Sequence, residues 1–201
     1  MQIGEVASGA GLALEAAKLA RLAEFARLFL TWNERINLGG AISGTELVTR
    51  HFVDSFAASR FVPPNSLVLD VGSGGGLPAI PLALARADLL LHLFEPTGKK
   101  VTFLRAAVRE LQLKGRVEVH GERISRERAI SLGAGVAMSR ATWAPTEWLA
   151  LGRTLLSAAG TVLVFGTGGD GDPREQPREE LRYGPGRRLL VYGQAPADRS
   201  T

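Results

Sequence analysis

Asp70, a cluster of glycines and Glu95 are the residues of this chain whose types and spacing define a chemistry. An apolar run ends in Asp70-Val71 and turns through Gly72-Ser73-Gly74-Gly75-Gly76-Leu77-Pro78. An Ala/Leu-rich helical pattern follows, and a second apolar run, Leu89 to Phe94, delivers Glu95. Strand, glycine-rich turn, helix and a second strand ending in an acid make one βαβ unit, the device with which a parallel sheet holds an adenosine-containing ligand. The glycines let the backbone approach the ligand, and the carboxylate takes the ribose hydroxyls. A dinucleotide fingerprint requires a third glycine at position 77, where this chain has Leu77. The pattern here is G-x-G-x-G, preceded by an acid.

That pattern resembles motif I of the S-adenosylmethionine-dependent methyltransferases with a Rossmann-like fold. A glycine-rich loop without a ligand is the plainer alternative. The strand before it, the helix after it and Glu95 one unit later argue against that alternative.

The elements that must position these residues are legible as periodicities. Leu12 to Ile36 reads as one long amphipathic helix, with Leu12, Ala16, Leu19, Leu22, Ala23, Ala26, Phe29 and Leu30 at three-to-four spacing and Gly39-Gly40 as its terminator. Thr45 to Phe61 reads as a second helix with Thr45 as its N-cap. Pro63-Pro64-Asn65 breaks the helical pattern. Beyond it, strands are expected at 67–71, 89–94, 117–120, 135–139 and 161–166, and helices at 78–86, 98–113, 123–132 and 146–158. Such alternation predicts an α/β fold with a doubly wound, mostly parallel sheet and right-handed crossovers. Residues 168–188, rich in Gly, Pro and charge, read as an exposed loop, Leu189 to Tyr192 as a last strand and 195–201 as a flexible tail. The expected division is an N-terminal helical extension over 1–62 and a ligand-binding domain over 63–194.

Composition narrows the classes. The chain has no cysteine, which removes disulfides, thiolate zinc sites and a cysteine nucleophile. No basic-then-apolar leader opens it, and its longest apolar stretch, Leu77 to Phe94, is broken by Arg86 and Asp88. A soluble cytoplasmic protein without a membrane segment is expected. The formal charge of +4 admits either an anionic partner such as nucleic acid or a generic arginine-rich surface. The three histidines, His51, His92 and His120, are far apart in sequence, and neither a general base nor a metal site is read from them.

Five ordered blocks then carry a more specific resemblance. They are Trp32-Asn33-Glu34-Arg35-Ile36-Asn37-Leu38, His51-Phe52-Val53-Asp54-Ser55, Asp70 to Pro81, Gly98-Lys99-Lys100-Val101-Thr102-Phe103-Leu104 and Ser139-Arg140-Ala141. The chain resembles the glucose-inhibited division protein B family, the bacterial methyltransferases of guanine N7 in 16S small-subunit ribosomal RNA. Three places depart from the family pattern. Gly39 follows Asn37-Leu38 where Thr is usual. Glu122 and Ile124 stand where Arg and Glu are usual. Phe165-Gly166-Thr167-Gly168 lacks the usual lysine.

The resemblance implies a Rossmann-like class I methyltransferase, S-adenosyl-L-methionine as cofactor, ribosomal RNA or the small ribosomal subunit as partner, and action as a monomer. The residues expected to hold the cofactor are Asp70, Gly72, Ser73, Gly74, Gly76, Leu77, Glu95, Arg123, Ile124 and Arg140. Asp70 either orients the glycine loop or meets the cofactor's amino group. Arg140, after the fourth strand, is the expected catalytic residue. It grips guanine O6, a phosphate or the cofactor's carboxylate, or else simply pairs with an acid. Lys99, Lys100, Arg105, Arg187 and Arg188 are the expected RNA-binding residues, and Trp143 is a candidate for stacking on a base. Trp32, Asn37, His51 and Asp54 are expected to fix the N-terminal helices onto the sheet. Two other readings stay open: a methyltransferase of the same fold acting on a small molecule, and a non-catalytic RNA-associated relic.

Overall fold

The computed structural model describes residues 3–124, 132–167 and 175–193. A seven-stranded sheet organises it. The strands are β1 (Leu67–Val71), β2 (Leu90–Phe94), β3 (Val117–His120), β4 (Ala134–Ser139), β5 (Leu156–Thr167), β6 (Glu179–Tyr183) and β7 (Arg187–Tyr192). Their spatial order is β3-β2-β1-β4-β5-β7-β6. The first five run parallel, and β7 pairs antiparallel with both β5 and β6. The order reverses between β1 and β4, so the crevice at the carboxyl ends of these two strands is where such a sheet binds ligands.

Successive strand side chains point to opposite faces, and the core divides accordingly. Val68, Leu91, Leu93, Val117, Val136, Met138 and Leu163 face one apolar cluster with helices α5 (Ala79–Ala85) and α6 (Gly98–Glu110). Leu69, Val71, Ala137, Val162, Val164 and Leu190 face the other with α7 (Pro145–Thr154). Both faces are covered, as a parallel sheet requires.

The N-terminal segment differs from its expectation in three ways. The helix expected from Leu12 starts at Ala16 as α2 (Ala16–Ile36), and an unforeseen α1 (Ile3–Gly9) precedes it, with Gly11 at φ 80 between them. The second helix begins earlier, capped by Ser43 and not Thr45. Ser43 Oγ accepts from Glu46 N at 3.2 Å, and Glu46 Oε2 accepts from Ser43 N at 3.0 Å, a reciprocal capping box. That helix is also not continuous. After α3 (Gly44–Glu46) it widens into a π-helical segment over Leu47–Phe52 and returns to α-helix in α4 (Val53–Ser59). A π-helical stretch rotates its side chains off the regular helical faces and recurs at functional sites; this one carries His51.

Asn33 and Asn37 build the exit from α2. Asn33 Oδ1 accepts from Leu38 N at 2.7 Å and Gly39 N at 2.9 Å, and Asn37 takes the left-handed conformation at φ 52. The aromatic ladder of α2 then locks the extension onto the sheet layer. Phe29 and Trp32 meet Phe103 of α6 edge-on, at ring-centroid distances of 6.1 and 5.7 Å.

The carboxyl-terminal part also departs from expectation. The helix expected at 146–158 ends at Thr154, and β5 already begins at Leu156. The region expected as loop contains β6 and the start of β7. Most of the helix expected at 123–132, residues 168–174 of the expected loop, and the tail expected at 195–201 lie outside the described residues. The histidines are corrected too. His92 on β2 and His120 on β3 are spatial neighbours, with ring centroids 5.0 Å apart. Parallel pairing of β2 with β3 brings together what 28 positions of sequence separate. No helix among the described residues is long and apolar enough to cross a membrane.

The penultimate residue of β1 carries a carboxyl group with an unusual setting. Asp70 is 1% exposed, and its Oδ2 finds no hydrogen-bond partner among the described residues. Burial pushes its carboxyl up to about 7, against smaller downward pulls from the Ser73 hydroxyl and the Arg140 charge.

Two outcomes are expected. Phe29 is wholly buried, so Phe29→Ala should cost about 3–5 kcal/mol. Chemical denaturation checks this, and a loss below about 1 kcal/mol would show that the helical layer is not docked as described. Asp70 ionises in the unfolded chain at its ordinary acid value, but only near 7 in the folded one. Between these values the folded state holds the extra proton, so this group withdraws stability as pH rises through that window. The stability of Asp70→Asn relative to the parent should therefore grow from pH 5 to pH 8. His51 titrates in both proteins and cancels in the difference. Equal differences at both pH values would show that Asp70 is ionised throughout.

Candidate functional site

Two adjoining cavities open at the carboxyl ends of the strands. The first, of about 350 Å3, is lined by Val71, Gly72, Gly74, Phe94, Glu95, Thr97 and Lys100, by Glu122, Arg123 and Ile124 after β3, and by Ala141, Thr142 and Trp143 after β4. Its size falls in the range of small-molecule sites.

Backbone hydrogen bonds fix the glycine loop to the end of β2. Gly72 N and Ser73 N both donate to the Phe94 carbonyl, at 2.8 and 3.1 Å. Glu95 then spans the cavity floor. Its Oε2 accepts from Gly74 N at 2.9 Å and its Oε1 from Thr97 N at 2.8 Å. The residue is 4% exposed. An ionised carboxylate has about four acceptor positions, so two remain for ligand hydroxyls.

Two neighbouring glycines serve opposite sides of the loop. A Cβ on Gly75 would stand 2.5 Å from the Phe29 ring, so the absence of a side chain is what lets α2 dock. A Cβ on Gly74 would meet only the Gly72 carbonyl, at 3.8 Å. Gly74 borders the first cavity at φ 55, so a side chain there would take ligand space.

These features fit the adenosine end of S-adenosylmethionine: a buried carboxylate for the ribose, a bare backbone approach at Gly74, and the apolar side chains of Ile124 and Phe94 beside them. The indole Nε1 of Trp143 is buried and without a hydrogen-bond partner among the described residues. It is a donor left over for a ligand.

The second cavity, of about 430 Å3, shares Ala141 and Trp143 with the first. Asp54, Arg140, Pro145, Phe165, Gly166, Thr167, Tyr183 and Arg187 complete it. Asp54 is its organising group. The residue is 2% exposed, and its Oδ2 accepts from Arg140 Nη1 at 3.0 Å. Its Oδ1 accepts from Arg187 Nη1 at 2.6 Å and from the Tyr183 hydroxyl at 2.9 Å. Arg187 also donates to the Arg50 carbonyl, and Arg140 to His51 Nδ1.

His51 suits the acceptor role. Burial, and then the Arg140 charge, depress its imidazole to about 4, so the ring is neutral at pH 7. The same burial, with the Asp54 charge beside it, holds the Tyr183 phenol far above its ordinary value, so it stays a donor. At the seam of the two cavities Ala141 has φ 57, a conformation costly for a residue with a Cβ.

The structure thus separates the expected cofactor residues. Gly72, Gly74, Glu95, Arg123 and Ile124 line the first cavity. Asp70, Ser73, Gly76 and Leu77 lie outside its lining. Ser73 is 2% exposed, and its hydroxyl donates to the Asp70 carbonyl at 2.9 Å. A Cβ on Gly76 would press on Ile80, and Leu77 belongs to the core. Arg140 is on the wall of the second cavity, not the first.

The residues expected to meet RNA also divide. Lys100 borders the first cavity and Arg187 the second, while Lys99 and Arg105 are exposed on α6. Arg188 points elsewhere, its Nη1 3.8 Å from Glu180. Among the three departures from the family pattern, Gly39 lies against Phe29 (a Cβ would be 3.2 Å from the ring), Glu122 and Ile124 edge the first cavity, and Gly166 and Thr167 edge the second. Tyr183 was not foreseen. The alternation of Leu181 and Tyr183 with charged neighbours was the available signal.

Comparisons with known proteins accord with this arrangement. The family model described as GidB, rRNA small subunit methyltransferase G, matches residues 18–179. Ribosomal RNA small subunit methyltransferase G of Anaeromyxobacter dehalogenans (strain 2CP-C) is 39% identical over 160 residues, which cover 77% of this chain and 72% of that protein. The protein of the same name from Xanthomonas axonopodis pv. citri (strain 306) is 36% identical over 156 residues, covering 76% and 70%. Among solved structures, an RNA methyltransferase from Salinibacter ruber in complex with S-adenosyl-L-homocysteine superposes with a TM-score of 0.57 at 16% identity, over 74% of this chain and 94% of that one, a likeness of fold. With most of its length matched by the family model and by these relatives, the chain belongs to the GidB family, described as rRNA small subunit methyltransferase G.

Proposed function

We propose that this chain is an S-adenosylmethionine-dependent methyltransferase acting on N7 of a guanine in 16S small-subunit ribosomal RNA. The observation that carries the reading is the pair of cavities joined at Ala141 and Trp143. One is built on the glycine loop and Glu95, the other on aromatic walls and two guanidiniums. S-adenosylmethionine, when bound, supplies an electrophilic methyl on a sulfonium. Guanine N7 carries a lone pair and no proton at neutral pH, so transfer needs no general base. This agrees with a site whose one imidazole, His51, is spent as an acceptor for Arg140.

The chain's own contribution in this reading is position. Glu95, already held by Gly74 N and Thr97 N, fixes the ribose and with it the direction of the cofactor. Trp143, Phe165 and Tyr183 offer faces and edges for a base turned out of its stack, the usual mode of sequence-specific RNA recognition. Arg140 and Arg187 offer donors for guanine O6 or for flanking phosphates. Holding two reactants as a near-attack pair can be worth about 7–11 kcal/mol. The family relatives are named for small-subunit ribosomal RNA, which supports that partner here; monomeric action in the cytoplasm is part of the proposal and rests on the resemblance alone.

Two measurements test the reading. Glu95→Ala should weaken S-adenosylmethionine by about 1–3 kcal/mol in calorimetric titration, and Glu95→Gln, which keeps one acceptor oxygen, should fall between the two. Unchanged affinity in Glu95→Ala would place the cofactor elsewhere. Arg140→Ala should leave Asp54 satisfied by Arg187 and Tyr183, and so should fold. It should lose methyl transfer to small ribosomal subunits by at least tenfold, about 1.4 kcal/mol in the barrier. Arg140→Lys should rescue poorly, because an ammonium cannot reproduce the planar fork. Full activity in Arg140→Ala, with N7-methylguanosine mapped by borohydride/aniline cleavage, would remove Arg140 from the site. Loss of folding instead would assign it a structural ion pair.

A further inference from the structure

The sheet edge away from the second cavity holds a cluster that the methyl-transfer reading does not use. In the parallel register His92 lies beside Glu118, and Phe94 beside His120. Strand alternation puts all four side chains on one face. His92 Nε2 stands 3.7 Å from Glu118 Oε2, and His120 Nε2 stands 3.8 Å from the same oxygen. One ligand atom from each of the three residues lies within 4.8 Å of the others. The His120 ring is fixed by stacking on Phe94, at a centroid distance of 4.5 Å and an interplanar angle of 13°. Its Nε2 is buried and finds no hydrogen-bond partner among the described residues. A buried ring nitrogen aimed at a second imidazole and a carboxylate, with no hydrogen bond of its own, calls for a ligand.

We infer that His92, Glu118 and His120 form a binding site for a late first-row transition-metal ion of the Zn2+ class. Two imidazoles and one carboxylate are the donors such ions take in three-ligand sites, which leave a fourth position to water. Metal–ligand bonds of about 2.0–2.2 Å place neighbouring ligand atoms about 3.3 Å apart in a tetrahedral site. The observed 3.7 and 3.8 Å need a contraction of a few tenths of an ångström. Glu118, whose side chain is 65% exposed, can supply that by rotation, and closing the two ring nitrogens, which lie within 4.8 Å of each other, falls to the His92 ring, since Phe94 holds that of His120. Harder cations such as Mg2+ prefer oxygen ligands in octahedral geometry and fit this donor set poorly.

The chain has three histidines, which makes the test direct. The full chain, without a polyhistidine tag and freed of metal by chelation, is titrated with Zn2+ while its imidazole resonances are followed by NMR. His92→Gln and His120→Gln assign the signals, and far-ultraviolet circular dichroism checks that each variant folds. One equivalent of Zn2+ should shift the His92 and His120 signals to saturation and leave that of His51, held by Arg140, in place. Calorimetry with Zn2+ should show at least a tenfold weaker affinity in His120→Gln and in Glu118→Gln, and Mg2+ should give no saturating shift. If the two signals stay in place, drift without saturation, or move together with that of His51, the inference is overturned. Unchanged Zn2+ affinity in the folded His92→Gln/His120→Gln double variant overturns it as well. Because the readout is metal binding alone, it stands or falls separately from the methyltransferase reading.

Discussion

A buried carboxylate joins the helical layer to the reaction face. Asp54 belongs to α4, Arg140 follows β4, Tyr183 ends β6 and Arg187 opens β7, yet all meet at two oxygen atoms. Losing one guanidinium leaves Asp54 paired with the other, whereas losing the shared carboxylate strips both guanidiniums of compensation, the kind of change that typically costs about 3–5 kcal/mol in a buried pair. The arrangement accounts for several features at once. The N-terminal helices must be present for Arg140 and Arg187 to hold their positions. The π-helical turn over Leu47–Phe52 places His51 and Asp54 where both reach the same guanidinium. The antiparallel β6–β7 hairpin supplies the remaining two donors.

The glycine loop is a second junction with the same logic. On one side Gly75 admits the Phe29 ring of α2; on the other, Gly74 leaves the first cavity open. Glu95 connects the loop to the next strand end, so loop and carboxylate form one hydrogen-bonded unit. The N-terminal helices therefore reach the two cavities differently: Phe29 packs behind the glycine loop, and Asp54 lines the second cavity itself. A site that works by positioning requires such stiffness on every wall.

How much of this was legible follows the physics of each signal. The central strands could be read because a two-sided parallel sheet demands apolar runs of strand length, and the meeting of Gly72, Gly74 and Glu95 at one cavity could be read because a strand, glycine turn and strand bring them there. The Ser43-Gly44-Thr45-Glu46 box was equally visible, but Thr45 competes with Ser43 as a cap and only the Glu46 side chain decides between them. Strand β6 was hidden because an edge strand rich in Glu and Arg has little apolar content to betray it. The meeting of His92 with His120 depends on β2 pairing with β3, and the gathering of Arg140, Arg187 and Tyr183 on Asp54 depends on where three chain segments end. Local sequence carries neither. The interior roles of Ser73, Gly76 and Leu77 were likewise invisible, since a motif marks the loop without saying which side each residue faces.

The charge pattern argues in the same direction. A net charge of +4 over the chain is a weak attraction for RNA, and exposed charges farther apart than about 8 Å are largely screened at physiological salt. Arg140 and Arg187 differ from such charges. Their side chains are 22% and 25% exposed, and Asp54 fixes their orientation before any partner arrives. Two guanidiniums against one carboxylate leave the second cavity with one uncompensated positive charge, and fixed donors lose little entropy on binding. Arg50, 63% exposed, and Arg182, 81% exposed, are each paired with a glutamate, Glu46 and Glu180, and add little net attraction. On the proposed RNA reading, net charge would bring the partner close and these pre-oriented guanidiniums would select one base among many phosphates. On that reading the selective element would be the geometry that Asp54 imposes, with net charge affecting chiefly the rate of encounter.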